Sequence, residues 1–343
     1  MSVRSETVEP GALIVRLQAE ASEVLRGLGG DAPFALVDFP NHWNIGDAAI
    51  WMGEATYFQG HRRARPSYAC TTMGFREADL RAAVPDGPIF FHGGGNFGDL
   101  WTRHHDFRLM LLEKYPEREI IQLPQSIHFQ DPSRIPATAR AIERHRQFTL
   151  IVRDKPSFDF ATATFQCEVR LCPDMAFFIG ALKREAAPDV DAFYLMRSDK
   201  ERTVTEAPEQ PGYSYRVADW PRENRRADRW VMRSHRLLGM AHGLLRGRPL
   251  LPRARVAGYD AQARVRVRRG CRMLSSGRVV VTDRLHAHIV SLLLGIPHAV
   301  LDNSYGKIAG CLSAWTGSAA DVYQTSSLGD AERWARERLA DSR

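Results

Sequence analysis

Pro88-Ile89-Phe90-Phe91-His92-Gly93-Gly94-Gly95-Asn96-Phe97-Gly98-Asp99 is the stretch on which the fold class turns. A short apolar run suits a strand buried on both faces; glycine and polar residues follow, then a helical pattern from Phe107 to Lys114. The same grammar occurs upstream, where Phe34-Ala35-Leu36-Val37-Asp38-Phe39 precedes the turn Asn44-Ile45-Gly46-Asp47 and a helix from Asp47 to Phe58. It occurs again far downstream, where Val279-Val280-Val281-Thr282 runs into Asp283-Arg284-Leu285-His286-Ala287-His288. Open α/β sheets present ligand-binding groups in this way, at the carboxyl ends of their strands. Three such places in one chain predict a cleft between two lobes.

The intervening sequence keeps the alternation. Strands are expected at Ile120–Leu123, ending at Pro124-Gln125-Ser126, at Phe148–Val152 and at Val169–Cys172. Helices are expected over Glu9–Leu28, with Leu13, Ile14, Leu17, Leu25 and Leu28 as its apolar stripe, over Ile135–Arg146, and from Arg153-Asp154-Lys155-Pro156-Ser157 onward. The pattern is α/β with mostly parallel sheets and right-handed crossovers. Residues 1–182 read as an N-terminal Rossmann-like domain, the charged segment 183–191 with Pro188 as a linker, 192–326 as a second Rossmann-like domain and 327–343 as a C-terminal helix. The second domain should contain a strand at Ala192–Met196, a polar irregular stretch at Thr203–Gln210, and helices at Asp228–Leu245 and Tyr259–Ser275 separated by Pro249 and Pro252. Strand Arg278–Thr282, helix His286–Leu294, strand Pro297–Leu301 and loop Asp302–Gly306 complete it.

Bulk properties narrow the class. A chain of 343 residues exceeds what one core usually organises, and 44% hydrophobic with 25% charged residues is ordinary for a globular protein. No apolar run reaches the roughly 20 residues of a membrane helix, and MSVRSETVEPG is not a secretory leader, so a soluble cytoplasmic protein is expected. The cysteines, Cys70, Cys167, Cys172, Cys271 and Cys311, are odd in number and lack CxxC spacing, which favours reduced thiols over disulfides or zinc. The net charge of +7 is uneven: Arg222 to Arg278 holds sixteen arginines, no lysine and only Glu223, Asp228 and Asp260 as acids. Two readings stand, an arginine-rich helical surface or attraction of an anion, whether a phosphate-bearing substrate or the acidic inner face of a membrane. No nucleic-acid motif accompanies the charge.

Gly93, Gly94, Gly95 and Asn96 read as an anion-binding loop, because glycine lets a ligand approach backbone N–H groups and a strand-to-helix junction adds a helix dipole. The loop is neither GxGxxG nor a Walker sequence, and a tight turn without ligand is the competing reading. In the Asn44-x-Gly46-Asp47 turn, Asp47 is either a helix cap or a general base. Asp154 can cap a helix and leave Arg153 over its strand end; for Arg197, surface ion pairing competes with a place behind the site. Arg284 offers a planar fork for carboxylate or phosphate, and His286 exchanges a proton near neutral pH. A salt-bridged arginine and a core histidine are the bland alternative. His288 falls roughly 200° around the helix from His286. It therefore reads as packing behind the site together with Asp283, and a two-histidine metal site is rejected; no metal constellation is found. Lys307 is a second cation for the pocket or a solvated surface lysine.

Together the strings resemble the polysaccharide pyruvyl transferase family. They are Asn-x-Gly-Asp-x-x-Ile (Asn44 to Ile50), Gly-Gly-Gly-Asn-x-Gly-Asp-Leu-Trp (Gly93 to Trp101), Pro-Gln-Ser (Pro124 to Ser126), Arg-Asp-x-x-Ser (Arg153 to Ser157), Pro-Asp-Met-Ala-Phe (Pro173 to Phe177), Arg-x-Asp-x-Glu (Arg197 to Glu201), Thr-Asp-Arg-Leu-His-x-His (Thr282 to His288) and Asp-Asn-x-Tyr-x-Lys (Asp302 to Lys307). Each is short; their order over about residues 34 to 315 carries the resemblance. It implies two Rossmann-like domains in a glycosyltransferase-B-like arrangement. It also implies transfer of the enolpyruvyl skeleton of phosphoenolpyruvate to a sugar of a cell-surface polysaccharide or exopolysaccharide, or its lipid-linked precursor, with ketal formation and release of phosphate. Arg284 and His286 map onto the family's phosphoenolpyruvate-binding pair, Arg153 onto its Arg-Asp arginine and Asp47 onto its acid. The chemistry then needs His286 as proton donor, Asp47 as base for the sugar hydroxyl, and Arg153, Arg284 and Lys307 around the anion, with no cofactor. A nucleotide-sugar-dependent glycosyltransferase on the same scaffold, or a non-catalytic polysaccharide-binding subunit, are the alternatives.

Overall fold

A computed structural model describes residues 7–198, 212–220, 250–302 and 306–341. The stretch Thr203–Gln210, the helix foreseen over Asp228–Leu245 and residues 303–305 lie outside them. The first sheet is made of β1 (Ala35–Val37), β2 (Tyr68–Cys70), β3 (Ile89–Phe91), β4 (Gly94–Gly98), β5 (Ile120–His128), β6 (Phe148–Val152) and β7 (Glu168–Leu171). Its order is β2-β1-β3-β5-β6-β7, with β4 also on β5, and every pairing is parallel. The second sheet contains β8 (Val190–Leu195), β9 (Tyr215–Ala218), β10 (Gly277–Thr282), β11 (His298–Leu301) and β12 (Val322–Thr325) in the parallel order β12-β11-β10-β8-β9. The described α-helices are α1 (Pro10–Leu25), α2 (Ile45–His61), α3 (Glu77–Ala83), α4 (Thr102–Lys114), α5 (Ile135–Arg144), α6 (Lys155–Thr164), α7 (Leu250–Ser275), α8 (Leu285–Leu293), α9 (Lys307–Cys311) and α10 (Leu328–Asp341). Two parallel α/β sheets facing a common seam make a glycosyltransferase-B-like architecture. Among the described residues no helix is long and apolar enough to cross a membrane.

Side-chain alternation builds the layers. Leu36, Phe90 and Ile121 stand in register on neighbouring strands and enter a core shared with α1, α2, α7 and α8. Their neighbours Ala35, Val37, Ile89, Phe91 and Ile120 point the other way, into a separate core. In the second sheet Phe193 and Val280 join the shared core, while Ala192, Tyr194, Val279 and Val281 meet α10 on the far face. This is the period of two expected of strands covered on both faces. The middle core is continuous across the two sheets. Trp51 on α2 donates through Nε1 to Asp260 Oδ1 on α7 at 3.0 Å, and Phe39 stacks on Tyr259 with centroids 4.1 Å apart. Helix α1 contacts the turn Met175–Ile179, where Gln18 Nε2 donates to Phe177 O at 2.8 Å, and it also touches α8.

The structure differs from the sequence reading in three places. Pro252 lies inside a helix, since the described residues show α7 from Leu250 to Ser275, so helical structure is present upstream of the expected Tyr259. The glycine triplet does not run into a helix, because Gly94–Gly98 forms β4 and α4 starts only at Thr102. Part of the arginine-rich segment serves the interior: Arg266 is buried and donates to Pro40 O at 2.8 Å, and Arg269 donates to Trp220 O at 2.9 Å and Trp43 O at 3.3 Å. These straps tie α7 to the loop before Asn44.

Candidate active site

Both sheets aim their carboxyl ends at the seam. Arg153 follows β6 and is buried. Its Nε donates to Ser126 Oγ at 2.9 Å and its Nη1 to Asp174 Oδ2 at 2.6 Å. From the opposite side comes His286, in the first turn of α8, with Nε2 at 3.4 Å from both Arg153 Nη1 and Asp174 Oδ2. Arg153 Nη2 has no hydrogen-bond partner among the described residues. Burial opposes ionisation of Asp174, but Arg153 and His286 hold its carboxyl well below the usual carboxylate range. Asp154 next door caps α6 by accepting from Ser157 N at 2.9 Å and accepts from Ser126 Oγ at 2.6 Å, so it fixes the strand end that carries Arg153.

The Asn44 turn closes the arrangement. Asn44, not Asp47, caps α2, accepting from Gly46 N at 3.1 Å and donating to Asp47 Oδ2 at 2.8 Å. His286 packs directly on Gly46: a Cβ there would lie 2.4 Å from its Nδ1. Asp47 is thereby released from capping and stands between His42, whose Nε2 is 3.5 Å away, and Gly94, whose Cβ position lies 3.4 Å from Asp47 Oδ1. Burial pushes against its charge, yet His42, His286, His92 and Arg153 keep its carboxyl below the ordinary value.

The glycines are explained by backbone packing. A side chain at Gly93 would meet Pro124 O at 2.6 Å, one at Gly98 would meet His128 O at 1.9 Å, and Gly94 and Gly98 have φ of 127° and 114°. Asn96 accepts from Gln125 Nε2 at 2.6 Å and Arg108 Nη2 at 2.9 Å, which locks β4 to β5 and α4. The helix N-terminus at the seam is that of α8, which has no side-chain cap. Arg284 precedes it, buried, with Nε and Nη2 both 2.6 Å from Asp219 Oδ1. Asp219 also accepts from Ser198 N at 3.0 Å and Ser198 Oγ at 2.6 Å. Asp283 accepts from Arg197 N at 2.8 Å, and burial pushes its carboxyl up to about 6. His288 turns away from the seam: its Nδ1 meets His298 Nε2 at 2.7 Å and its Nε2 meets Thr316 Oγ1 at 2.9 Å. The side chain of Lys307 lies outside the described residues.

Five of the residues singled out in the sequence thus adjoin one another across or beside the seam: Arg153, His286, Asn44, Asp47 and Gly94. Arg284 stands at the head of the same helix, on a partner of its own. Asp174 and Asp219 were not singled out as site residues, although Asp174 sits in the quoted Pro-Asp-Met string. Its signal was position, an acid shortly after the end of β7 at Leu171.

This arrangement coincides with one family over most of the chain. The sequence model of the family described as polysaccharide pyruvyl transferase matches residues 44–305, from the Asn44 cap to beyond His286. The chain belongs to the polysaccharide pyruvyl transferase family. Among its relatives, "Pyruvyl transferase 1" of Schizosaccharomyces pombe is 31% identical over 292 residues, covering 82% of this chain and 69% of that protein. "Putative pyruvyl transferase EpsO" of Bacillus subtilis is 30% identical over 304 residues, covering 88% and 91%. In fold, the chain is similar to the crystal structure of a functionally uncharacterized Klebsiella pneumoniae protein, with a TM-score of 0.56 at 18% identity over 91% of this chain and 99% of that one. As a pyruvyl transferase family member the chain is a transferase. Its shared core places the family's Arg-Asp and Leu-His strings against each other.

Proposed function

We propose that this transferase takes phosphoenolpyruvate as donor and forms a pyruvate ketal across two hydroxyls of a sugar, in a cell-surface polysaccharide or its lipid-linked precursor, releasing phosphate. One observation carries the reading: Arg153 and His286 reach from opposite lobes to a single carboxylate, Asp174. A small anion bound at this seam meets Arg153 Nη2, the uncapped N–H groups of α8 and an imidazole at once. Asp174 and Asp219 back the guanidinium groups of Arg153 and Arg284, fixing their forks while leaving them cationic.

The steps follow from these positions. His286, protonated, gives its proton to the methylene carbon of the donor while a sugar hydroxyl attacks the adjacent carbon. Asp47 takes the hydroxyl proton. A carboxylate held below its ordinary range is a weak base, but an arriving multiply charged donor raises its proton affinity by repulsion. The second hydroxyl then attacks the same carbon, the bond to phosphate breaks with its electron pair on phosphate, and arginine stabilises the departing charge. His286, now neutral, is placed to accept the second hydroxyl proton. No resident cofactor enters these steps.

The test is direct. Purified protein is incubated with phosphoenolpyruvate and methyl galactosides, glucosides and mannosides. Phosphate release with a mass gain of pyruvate minus water is expected; absence of both, with no thermal stabilisation by phosphoenolpyruvate, overturns the reading.

A further inference from the structure

The strand order of the first sheet reverses at β1, with β2 on one side and β3 on the other. Ligands of open α/β sheets bind beyond the carboxyl ends of strands at such a point. The residues that follow β1 and β3 are Asp38 and His92, both buried and polar. Asp38 adopts a φ of 71°, uncommon for a residue with a side chain. Each side chain is held at one atom. His92 Nδ1 meets Glu54 Oε2 at 2.8 Å, with Gly93 N donating to the other Glu54 oxygen at 2.8 Å, and Asp38 Oδ1 meets His104 Nδ1 at 2.7 Å. Each also ends in a buried atom without a hydrogen-bond partner among the described residues, His92 Nε2 and Asp38 Oδ2. Arg108 Nη2 stands 4.0 Å from Asp38 Oδ2, beyond hydrogen-bond reach.

Side-chain exposure falls from 42% at His42, 22% at Asp47 and 21% at His104 to 2% at His92 and 1% at Asp38, so a polar cluster runs from the surface inward to these two groups. Leaving a buried polar atom unpaired is costly, and each such group calls for an explanation. Nothing in the donor chemistry uses either atom.

We propose that His92 Nε2 and Asp38 Oδ2 are the hydroxyl-binding groups of a subsite for a neutral sugar, the acceptor, at the β1/β3 reversal beside Asp47. The subsite rests on the transfer reading and extends it by seating the second substrate. Charge selects the ligand class. Asp38, Asp47 and Glu54 are matched here by Arg108, His104, His42 and His92, which leaves no surplus of positive charge for phosphate or carboxylate, whereas Arg153 and the head of α8 attract them. A sugar hydroxyl both donates and accepts, which suits a carboxylate oxygen and an imidazole nitrogen together. Glu54 acts through His92 as a positioning residue, fixing which ring nitrogen faces the ligand.

Saturation-transfer NMR with the methyl pyranosides of galactose, glucose and mannose tests the subsite on wild type, His92→Gln and Asp38→Asn, with phosphoenolpyruvate thermal shifts run in parallel. Binding of at least one glycoside to wild type is expected, weakened about tenfold in each variant. The thermal shift from phosphoenolpyruvate should persist in both, which a merely structural role would not predict. With a glycoside that is turned over, the loss should appear in its KM before kcat. Undiminished glycoside binding by the folded variants, or no glycoside binding to wild type, overturns the subsite. Glycoside binding without any response to phosphoenolpyruvate sinks the donor reading alone. Should His92→Gln fail to fold, Asp38→Asn still decides, because asparagine matches aspartate in size and tolerates a positive φ.

Discussion

Gly46 and Asp174 constrain His286 at the scale of single residues. A methyl group at position 46 would occupy the place of the His286 ring. Gly46→Ala should therefore shift the imidazole and lower turnover on the order of 100-fold, as misplacements of about 1 Å do, while the protein stays folded. A phosphate-release assay beside circular dichroism reads this; unchanged turnover would separate His286 from the chemistry. Asp174→Asn removes the buried carboxylate that pairs the Arg153 guanidinium and should cost roughly 3–5 kcal/mol near neutral pH. The sign with pH follows from linkage. Because the folded carboxyl lies below its ordinary 3.8, its contribution is full above that value and is lost as pH falls through and beneath it. Urea denaturation of wild type and variant should show the gap narrowing at acid pH; a constant gap would mean the loss is packing alone. At this scale the sequence was readable where a chemical type stands close behind a strand end, as with Arg153 after β6 and His286 after β10. It was opaque where a partner is remote. Arg284 meets Asp219, 65 positions away, and no local pattern announces that pairing.

Elements were legible where an apolar run marks them in the sequence. Strands covered on both faces, such as Phe148–Val152, give unbroken apolar runs and stand where the sequence put them. The unforeseen strands β2, β9 and β12 lie at sheet edges; β9 and β12 are partly exposed and mix polar with apolar residues, so neither an apolar run nor clean alternation marks them. The glycine triplet misled for a related reason. Glycine permits close approach by a ligand or by another backbone, and here β5 takes the place. The buried contact between His288 on α8 and His298 on β11 carries its own acid sensitivity. Burial lowers the proton affinity of both, that of His298 to about 4. Their stabilisation is full above the ordinary value of 6.5 and is lost as pH falls from there toward about 4. Unfolding free energy should drop with a slope of about 1.4 kcal/mol per pH unit per proton in that window. His298→Gln should flatten the slope, and a variant slope equal to wild type would place the acid sensitivity elsewhere.

For the whole molecule, the shared core matters more than either sheet. Two lobes joined by a linker suggest independent unfolding, yet α1, α2, α7 and α8 bury side chains from both in one continuous cluster. A single calorimetric transition is expected, with calorimetric and van't Hoff enthalpies in agreement. Asp260→Ala leaves the Trp51 indole N–H unpaired in that core and should lower stability by about 1–3 kcal/mol without splitting the transition. Two resolved transitions would show that the seam is not a common core. The coarse plan of two parallel sheets around a cleft was legible because alternation repeats along the chain. The packing between them was not, since Phe39 and Tyr259, or Arg266 and Pro40, meet across more than half the sequence.

Calorimetric titration of phosphoenolpyruvate into wild type and Arg153→Gln probes the seam most directly. Measurable binding to wild type, weakened at least about tenfold in a variant that keeps its fold, is the predicted result. Equal affinity in both proteins, or no heat with wild type, would contradict the assignment of the anion to the junction of Arg153 and His286.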